Sequence, residues 1–213
     1  MPITPNKLKE RIAECVGLWR AEGDTKCSNE ITFTNNSIFL ILYFHKTLIR
    51  ILPEIKNKVR IYIYSPNFRY PDIPLKNIRI NKYLDARATK PYFIWRVASV
   101  TIYAKWKTIA DRVTNSKKYC KPFLRGFFAG EGNIKAGSHG NRTIRIAQGK
   151  PSRLIEKLLT QLKLKHKYRP AERSYSITGR THWELMAKYE LADLHPEKNF
   201  QLSRRGIMKT IFY

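Results

Sequence analysis

The stretch FLRGFFAGEGNIKAG, residues 123–137, sets aromatic residues and glycines around a single carboxylate, Glu131. Pro122 precedes it and suits the first turn of a helix, while Gly132 is the residue type that ends one. Gly126 and Gly130 are four positions apart and so share one helix face. The same grammar stands near the start of the chain, in TPNKLKERIAECVGLWRAEG at 4–23. There Thr4 can cap a helix, Pro5 suits its first turn, and Leu8, Ile12, Val16 and Trp19 build one apolar stripe. Gly23 is expected to end that helix in a left-handed conformation. An offset of 109 residues takes Glu22 onto Glu131, and with it Gly17 onto Gly126, Trp19 onto Phe128, Gly23 onto Gly132 and Lys26 onto Lys135.

The pattern continues outward from both stretches. NEITFTNN, residues 29–36, alternates Ile31 and Phe33 with Glu30, Thr32 and Thr34, as a strand with one buried face does. An apolar helix is expected over 37–52, stopped by Pro53, and KVRIYIY (58–64) alternates again. Residues 65–91 hold Pro66, Pro71, Pro74 and Pro91 among many basic residues and read as an extended excursion. YFIWRV (92–97) predicts a strand, followed by a helix near 99–113. In the second part, RTIRIAQ (142–148), KHKYR (165–169) and SYSIT (174–178) read as strands. PSRLIEKLLTQL (151–162) and THWELMAKYEL (181–191) read as helices. The pattern divides the chain into two repeats, 1–113 and 114–213, the second ending in a basic, partly apolar tail.

Composition limits what such a repeat protein does. Lys and Arg number 41 against 16 Asp and Glu, a formal net charge of +25. A field of that size costs self-repulsion and points to a polyanionic partner, nucleic acid before an anionic membrane. The apolar fraction of 43% supports a folded core. Cys15, Cys27 and Cys120 are odd in number and widely spaced, which speaks against a disulfide framework or a zinc site. The longest apolar run, SIFLILYF (37–44), is too short to span a bilayer, and MPITPNKLKE lacks a hydrophobic signal region. The expectation is an intracellular, non-secreted protein.

Gly17 with Ala21, and Gly126 with Gly130, give each helix a small-residue face on which two backbones approach closely. Packed side by side, the two helices would end together and bring Glu22 and Glu131 beside two negative helix termini. Like charges gathered there call for a cation, and hard oxygen ligands suit magnesium.

CVGLWRAEG (15–23) and LRGFFAGEG (124–132) resemble the two signature helices of LAGLIDADG homing endonucleases in their single-chain, two-repeat form. The resemblance implies an α+β fold of two pseudo-symmetric αββαββα repeats, with antiparallel saddle-shaped sheets packed under helices. It implies a monomer with internal pseudo-twofold symmetry that lays its sheets in the major groove of double-stranded DNA. It also implies a staggered double-strand cut with Mg²⁺ or Mn²⁺ as cofactor. By position, Glu22 and Glu131 become the metal-binding and catalytic acids, and the carbonyls of Ala21 and Gly130 become candidate metal ligands. The chain departs from the family in having Glu at both positions, where the family usually shows Asp in at least one motif, and in having Arg20 inside the first.

Phosphodiester hydrolysis profits from a further cation near the phosphate, and Lys26 and Lys135 are the candidates, with Lys150 a third. Asn35 and Gln148, at the ends of equivalent strands, are candidates to position water. The DNA-facing set is Glu30, Thr32, Thr34, Arg60 and Tyr62 in the first half. In the second half it is Lys135, Thr143, Arg145, Lys165, Lys167 and Arg169. The loop HGNR (139–142) and the excursion at 65–91 would lengthen the footprint. Two other functions suit the same scaffold: an intron maturase that binds RNA, and a DNA-binding regulator that does not cut.

Overall fold

The structure, a computed structural model, describes residues 4–136 and 142–203. Its first half runs α1 (Pro5–Glu22), β1 (Glu30–Asn35), α2 (Ile38–Ile51), β2 (Arg60–Ser65), β3 (Arg79–Leu84), β4 (Tyr92–Ala98) and α3 (Val100–Thr114). The second runs α4 (Cys120–Glu131), β5 (Gly132–Ala136), β6 (Arg142–Ala147), α5 (Arg153–Gln161), β7 (Lys167–Arg169), β8 (Ser174–Thr178), α6 (Arg180–Lys188) and α7 (Pro196–Leu202). Each half holds one four-stranded sheet, ordered β1-β4-β2-β3 and β5-β6-β8-β7. The division expected between 113 and 114 falls in the last turn of α3.

The second half has the αββαββα order and then adds α7. The first half reaches the same layout with two differences. Here β1 is the counterpart of β6: each leads into a helix and pairs antiparallel with the strand before the last helix of the repeat, β4 or β8. The place of β5, directly after the first glutamate, holds no strand. Asp24 accepts hydrogen bonds through Oδ1 from the backbone N–H of Lys26 at 3.0 Å and of Cys27 at 3.2 Å, closing a turn where a strand would need those donors. The missing strand is offset on the opposite edge by β3, which lies inside the basic excursion and pairs parallel with β2. Pro71 and Pro74 precede β3, outside its hydrogen-bonded ladder, where proline is tolerated.

Helices α1 and α4 pack on each other at the centre, and glycine is what lets them meet. A Cβ on Gly17 would stand 2.1 Å from the Phe123 carbonyl oxygen, and one on Gly126 would stand 1.9 Å from that of Glu14. Gly23 has φ −98°, an extended rather than a left-handed conformation. Its lack of a side chain is needed for space, since a Cβ there would lie 2.3 Å from the Trp19 ring and 2.7 Å from the Thr32 carbonyl oxygen. Outward from the helix pair, the aromatic core of the first half packs Trp19 edge-on to Trp106, with centroids 5.9 Å apart, and Phe44 edge-on to Trp95 at 5.2 Å. The second half buries Phe128, Ile144, Ile146, Leu159, Tyr175 and Ile177.

An ion pair lies in the helix interface. Glu14 is buried, accepts from Arg125 Nη1 at 2.6 Å and takes the Tyr43 hydroxyl on its other oxygen. Arg125 also donates to the Glu190 carbonyl oxygen at 2.8 Å, tying α4 to the end of α6. Removing one partner of a buried pair leaves the other without compensation, which costs about 3–5 kcal/mol. Arg125→Met is therefore expected to lower stability by about that amount in urea unfolding, and adding Glu14→Met to recover most of the loss.

Candidate metal and nucleic-acid site

Because α1 and α4 touch along their small faces, they end together. A Cβ on Gly130 would lie 2.8 Å from both Ala21 Cβ and Glu22 Cγ, and 3.5 Å from Glu22 Oε1. The Glu22 side chain thus lies over Gly130, the residue just before Glu131. A cleft of about 320 Å³ opens here, lined by Glu22, Asn35, Gly130, Asn133, His195 and Lys198 among others. Glu131 lies in the chain between two lining residues, Gly130 and Gly132. Burial pushes its carboxyl up to about 7, with the negative charge of Glu22 adding to the effect and Lys198 opposing it. Burial raises the Glu22 carboxyl as well, again opposed by Lys198.

Lys198, on α7, donates to the carbonyl oxygens of Phe128 at 3.0 Å, Ala129 at 2.6 Å and Gly130 at 3.0 Å. These belong to the last turn of α4, whose end groups carry partial negative charge. Burial pushes the lysine down to about 8, while Glu22, Glu131 and Glu197 favour its charged form. The cation seated at the helix end in this structure is an ammonium group.

The donor set fits a hard divalent ion: two desolvated carboxylates and helix-end carbonyl oxygens, with room for water in the cleft. Among the described residues, no group of three or more His, Cys, Asp or Glu gathers to hold a metal. A metal here would therefore rest on Glu22, Glu131, the Ala21 and Gly130 carbonyls and water.

Glu131 also makes stability depend on pH in the absence of metal. The unfolded chain releases this proton near the ordinary value of 4.5, the folded chain only near 7. The unfolded state thus binds fewer protons between those values, so stability present below pH 4.5 is lost as pH rises through 7. Allowing for solvent screening, the loss is about 1–2 kcal/mol. Without divalent ions, the melting temperature is expected to fall between pH 5 and 7.5, and Glu131→Gln is expected to flatten that slope.

Of the residues expected at the site, the structure brings Glu22, Gly130 and Asn35 into the cleft, with Ala21 packed on Gly130 and Glu131 next in the chain. Asn35 Oδ1 accepts from Ser37 N at 2.8 Å, which orients its amide. Lys26, Lys135, Gln148 and Lys150 lie outside the cleft, and both Lys26 and Lys135 are exposed. Sequence reasoning missed Lys198, Lys90 and His195 as lining residues. The described part of the tail, through Ser203, packs back on the fold as α7.

The outward faces of β1, β2 and β6 follow the alternation of their sequences, whereas β3 does not alternate and β8 is buried at four successive positions, Ser174 to Ile177. Across the first sheet, Thr32 faces Arg96, which faces Arg60 and through it Arg79, while Tyr62 neighbours Asn81 and Tyr64 neighbours Tyr83 and Tyr92. Glu30 is held by Arg96, and Thr32 Oγ1 accepts from Asp24 N at 3.0 Å. Thr34 and Ile94 continue this face. On the second sheet, Asn133 and Lys135 lie beside Arg145 and Thr143, with Lys167 and Arg169 farther across and Lys165 just before β7. Arg145 pairs with Glu172. Within HGNR only Arg142 falls among the described residues; it is buried, so it does not extend the outward face. Among the described residues, no helix is long and apolar enough to cross a membrane.

No family model matches the chain, and no curated protein matches its sequence. Solved structures do match its shape. The crystal structure of I-DmoI in complex with DNA and Mn aligns with a TM-score of 0.55 at 14% identity, over 87% of this chain and 98% of that one. I-DmoI in complex with DNA and Ca gives 0.54 at 15%, over 97% and 99%. The N-terminal LAGLIDADG domain of DUF199/WhiA gives 0.52 at 16%, over 90% and 85%. Full-length DUF199/WhiA from Thermatoga maritima gives 0.52 at 15%, over 99% of this chain and 67% of that one. The chain has the LAGLIDADG homing endonuclease fold in its single-chain, two-repeat form.

Proposed function

We propose that this chain is a site-specific endonuclease of the homing type, which binds double-stranded DNA along its two sheets and makes a staggered cut in both strands. The observation that carries the reading is the closeness of Glu22 to Gly130 and Glu131 where α1 and α4 end together. The structure of I-DmoI with DNA and Mn supports it as a neighbour of the same fold.

Glu22 and Glu131, with the carbonyls of Ala21 and Gly130, would hold Mg²⁺ or Mn²⁺. When bound, such an ion lowers the pKa of a coordinated water and neutralises charge on the phosphate. Asn35 lines the cleft and, with its oxygen engaged by Ser37, offers its amide N–H groups to orient water. Lys26, Lys135, Lys150 and Gln148, outside the cleft, act on the flanking phosphates, with Arg60, Tyr62, Thr143, Arg145, Lys165, Lys167 and Arg169 along the faces. Glu30 positions Arg96 on that surface.

A second reading, binding of structured RNA as a maturase, draws on one feature. Tyr64 stacks on Tyr92 with centroids 4.9 Å apart and on Tyr83 at 5.2 Å, and Tyr83 in turn on Tyr62 at 6.1 Å, along the outward face of the first sheet. Aromatic rows of this kind suit unpaired bases. Competition separates the readings. A labelled duplex made by joining the DNA on either side of the chain's own gene is expected to resist an RNA hairpin competitor at tenfold excess. Displacement by the RNA alone would favour the maturase. Duplex affinity is also expected to fall by about a thousandfold between 50 and 200 mM salt, as several phosphate contacts release their counterions.

A further inference from the structure

We propose that Lys198 is a tethered cation that occupies the ligand position of a divalent ion, so that metal loads only when α7 swings its lysine off the Gly130 carbonyl. The proposal rests on the metal-site reading and adds a competitor to it.

The argument starts from what the ammonium touches. Its three donors are used on the three successive carbonyls of Phe128, Ala129 and Gly130. The last of these is one of the oxygens a metal would need. Glu22 and Glu131 both act electrostatically on the same ammonium, so it supplies the positive charge that two neighbouring carboxylates require. A divalent ion drawn to the same oxygen and the same carboxylates would stand against a fixed positive charge at short range, and one of the two must leave.

The lysine is delivered by an element that is able to move. Helix α7 spans Pro196–Leu202, lies beyond the repeat and has no counterpart after α3 in the first half. Nothing in the αββαββα architecture requires it. Its far end is held by Arg142, which donates to the carbonyl oxygens of Leu202 and, at 3.1 Å, of Ser203. Leu202 is its one buried residue. A seven-residue helix with a single buried residue opens more easily than the central helix pair. The same cleft also admits His195, Glu197 and Gln201, so lifting α7 would widen it.

Mn²⁺ uptake by the full chain at pH 7.5, read from the spin-resonance signal of free Mn²⁺ without DNA, tests this. Lys198→Met removes the charge and keeps the bulk. It is expected to bind Mn²⁺ at least tenfold more tightly than wild type, and saturating Mn²⁺ is expected to raise its melting temperature roughly 3–5 °C more than that of wild type. Arg142→Met leaves Lys198 intact and loosens only the far end of α7. Its affinity is expected to fall between the other two, which keeps the test open should the first variant fold poorly. Equal or weaker Mn²⁺ binding by both variants would overturn the competition while leaving the metal site standing. No uptake by any of the proteins, or uptake by Lys198→Met that survives Glu22→Gln, would overturn the metal site itself and the proposal with it.

Discussion

Gly126→Ala is expected to destabilise the protein by about 3 kcal/mol or more, an unusual loss for the addition of one methyl group. A Cβ at this position would stand 1.9 Å from the Glu14 carbonyl oxygen and 2.8 Å from Glu14 Cα. Both atoms are backbone, so no rotamer change relieves the clash and the two helices must separate. That separation would pull apart the Arg125 and Glu14 pair and open a core in which Phe127, Phe128 and Trp19 are buried. Gly149→Ala is the control, because its Cβ meets nothing within 4 Å. Urea unfolding of the two variants checks the claim. A difference below about 1 kcal/mol between them would mean that the helices do not approach as described.

Glu22→Gln and Glu131→Gln are each expected to reduce single-turnover DNA cleavage by at least roughly a thousandfold while changing duplex affinity by less than about threefold. Glutamine keeps the shape and removes the charge, so a bound cation loses a ligand and the DNA faces stay intact. The same change is expected to act in the opposite direction on stability. Without metal, Glu131 carries a desolvated carboxyl beside Glu22, and glutamine has no charge to bury. At pH 7.5 Glu131→Gln is therefore expected to melt at or above the wild-type temperature. A variant that lost both activity and stability would indicate that Glu131 is structural.

How much of this was readable beforehand depends on which residues carried a pattern. The paired helices were legible because Gly17 with Ala21, and Gly126 with Gly130, put small residues on one face of each and the same offset repeats Glu22 in Glu131. The core faces of β1, β2 and β6 were legible because isoleucine and phenylalanine alternate with polar residues at the period of a strand. β3 was hidden among prolines, since Arg79–Leu84 lacks a clean alternation and stands at a sheet edge. The missing strand after Glu22 turned on one side chain, Asp24, that takes over two backbone donors. Gly23 showed that a glycine after a helix need not be left-handed: what it avoids there is Trp19. Lys198 had no signal at all. It belongs to no motif and has no partner under the repeat, and its place follows only from α7 folding back across the end of α4. Lys26 and Lys135 follow the repeat, whereas the lysines that line the cleft, Lys90 and Lys198, come from the excursion and from α7, the parts of the chain that break it.

The measurement that bears most directly on the endonuclease reading is cleavage of the joined-flank duplex by wild-type protein in Mg²⁺, with both strands mapped at nucleotide resolution. The predicted result is one break in each strand, offset to leave short 3′ overhangs, dependent on the divalent ion and absent in Glu22→Gln. Tight binding that leaves both strands intact in Mg²⁺ and in Mn²⁺ would contradict it and leave the fold serving binding alone.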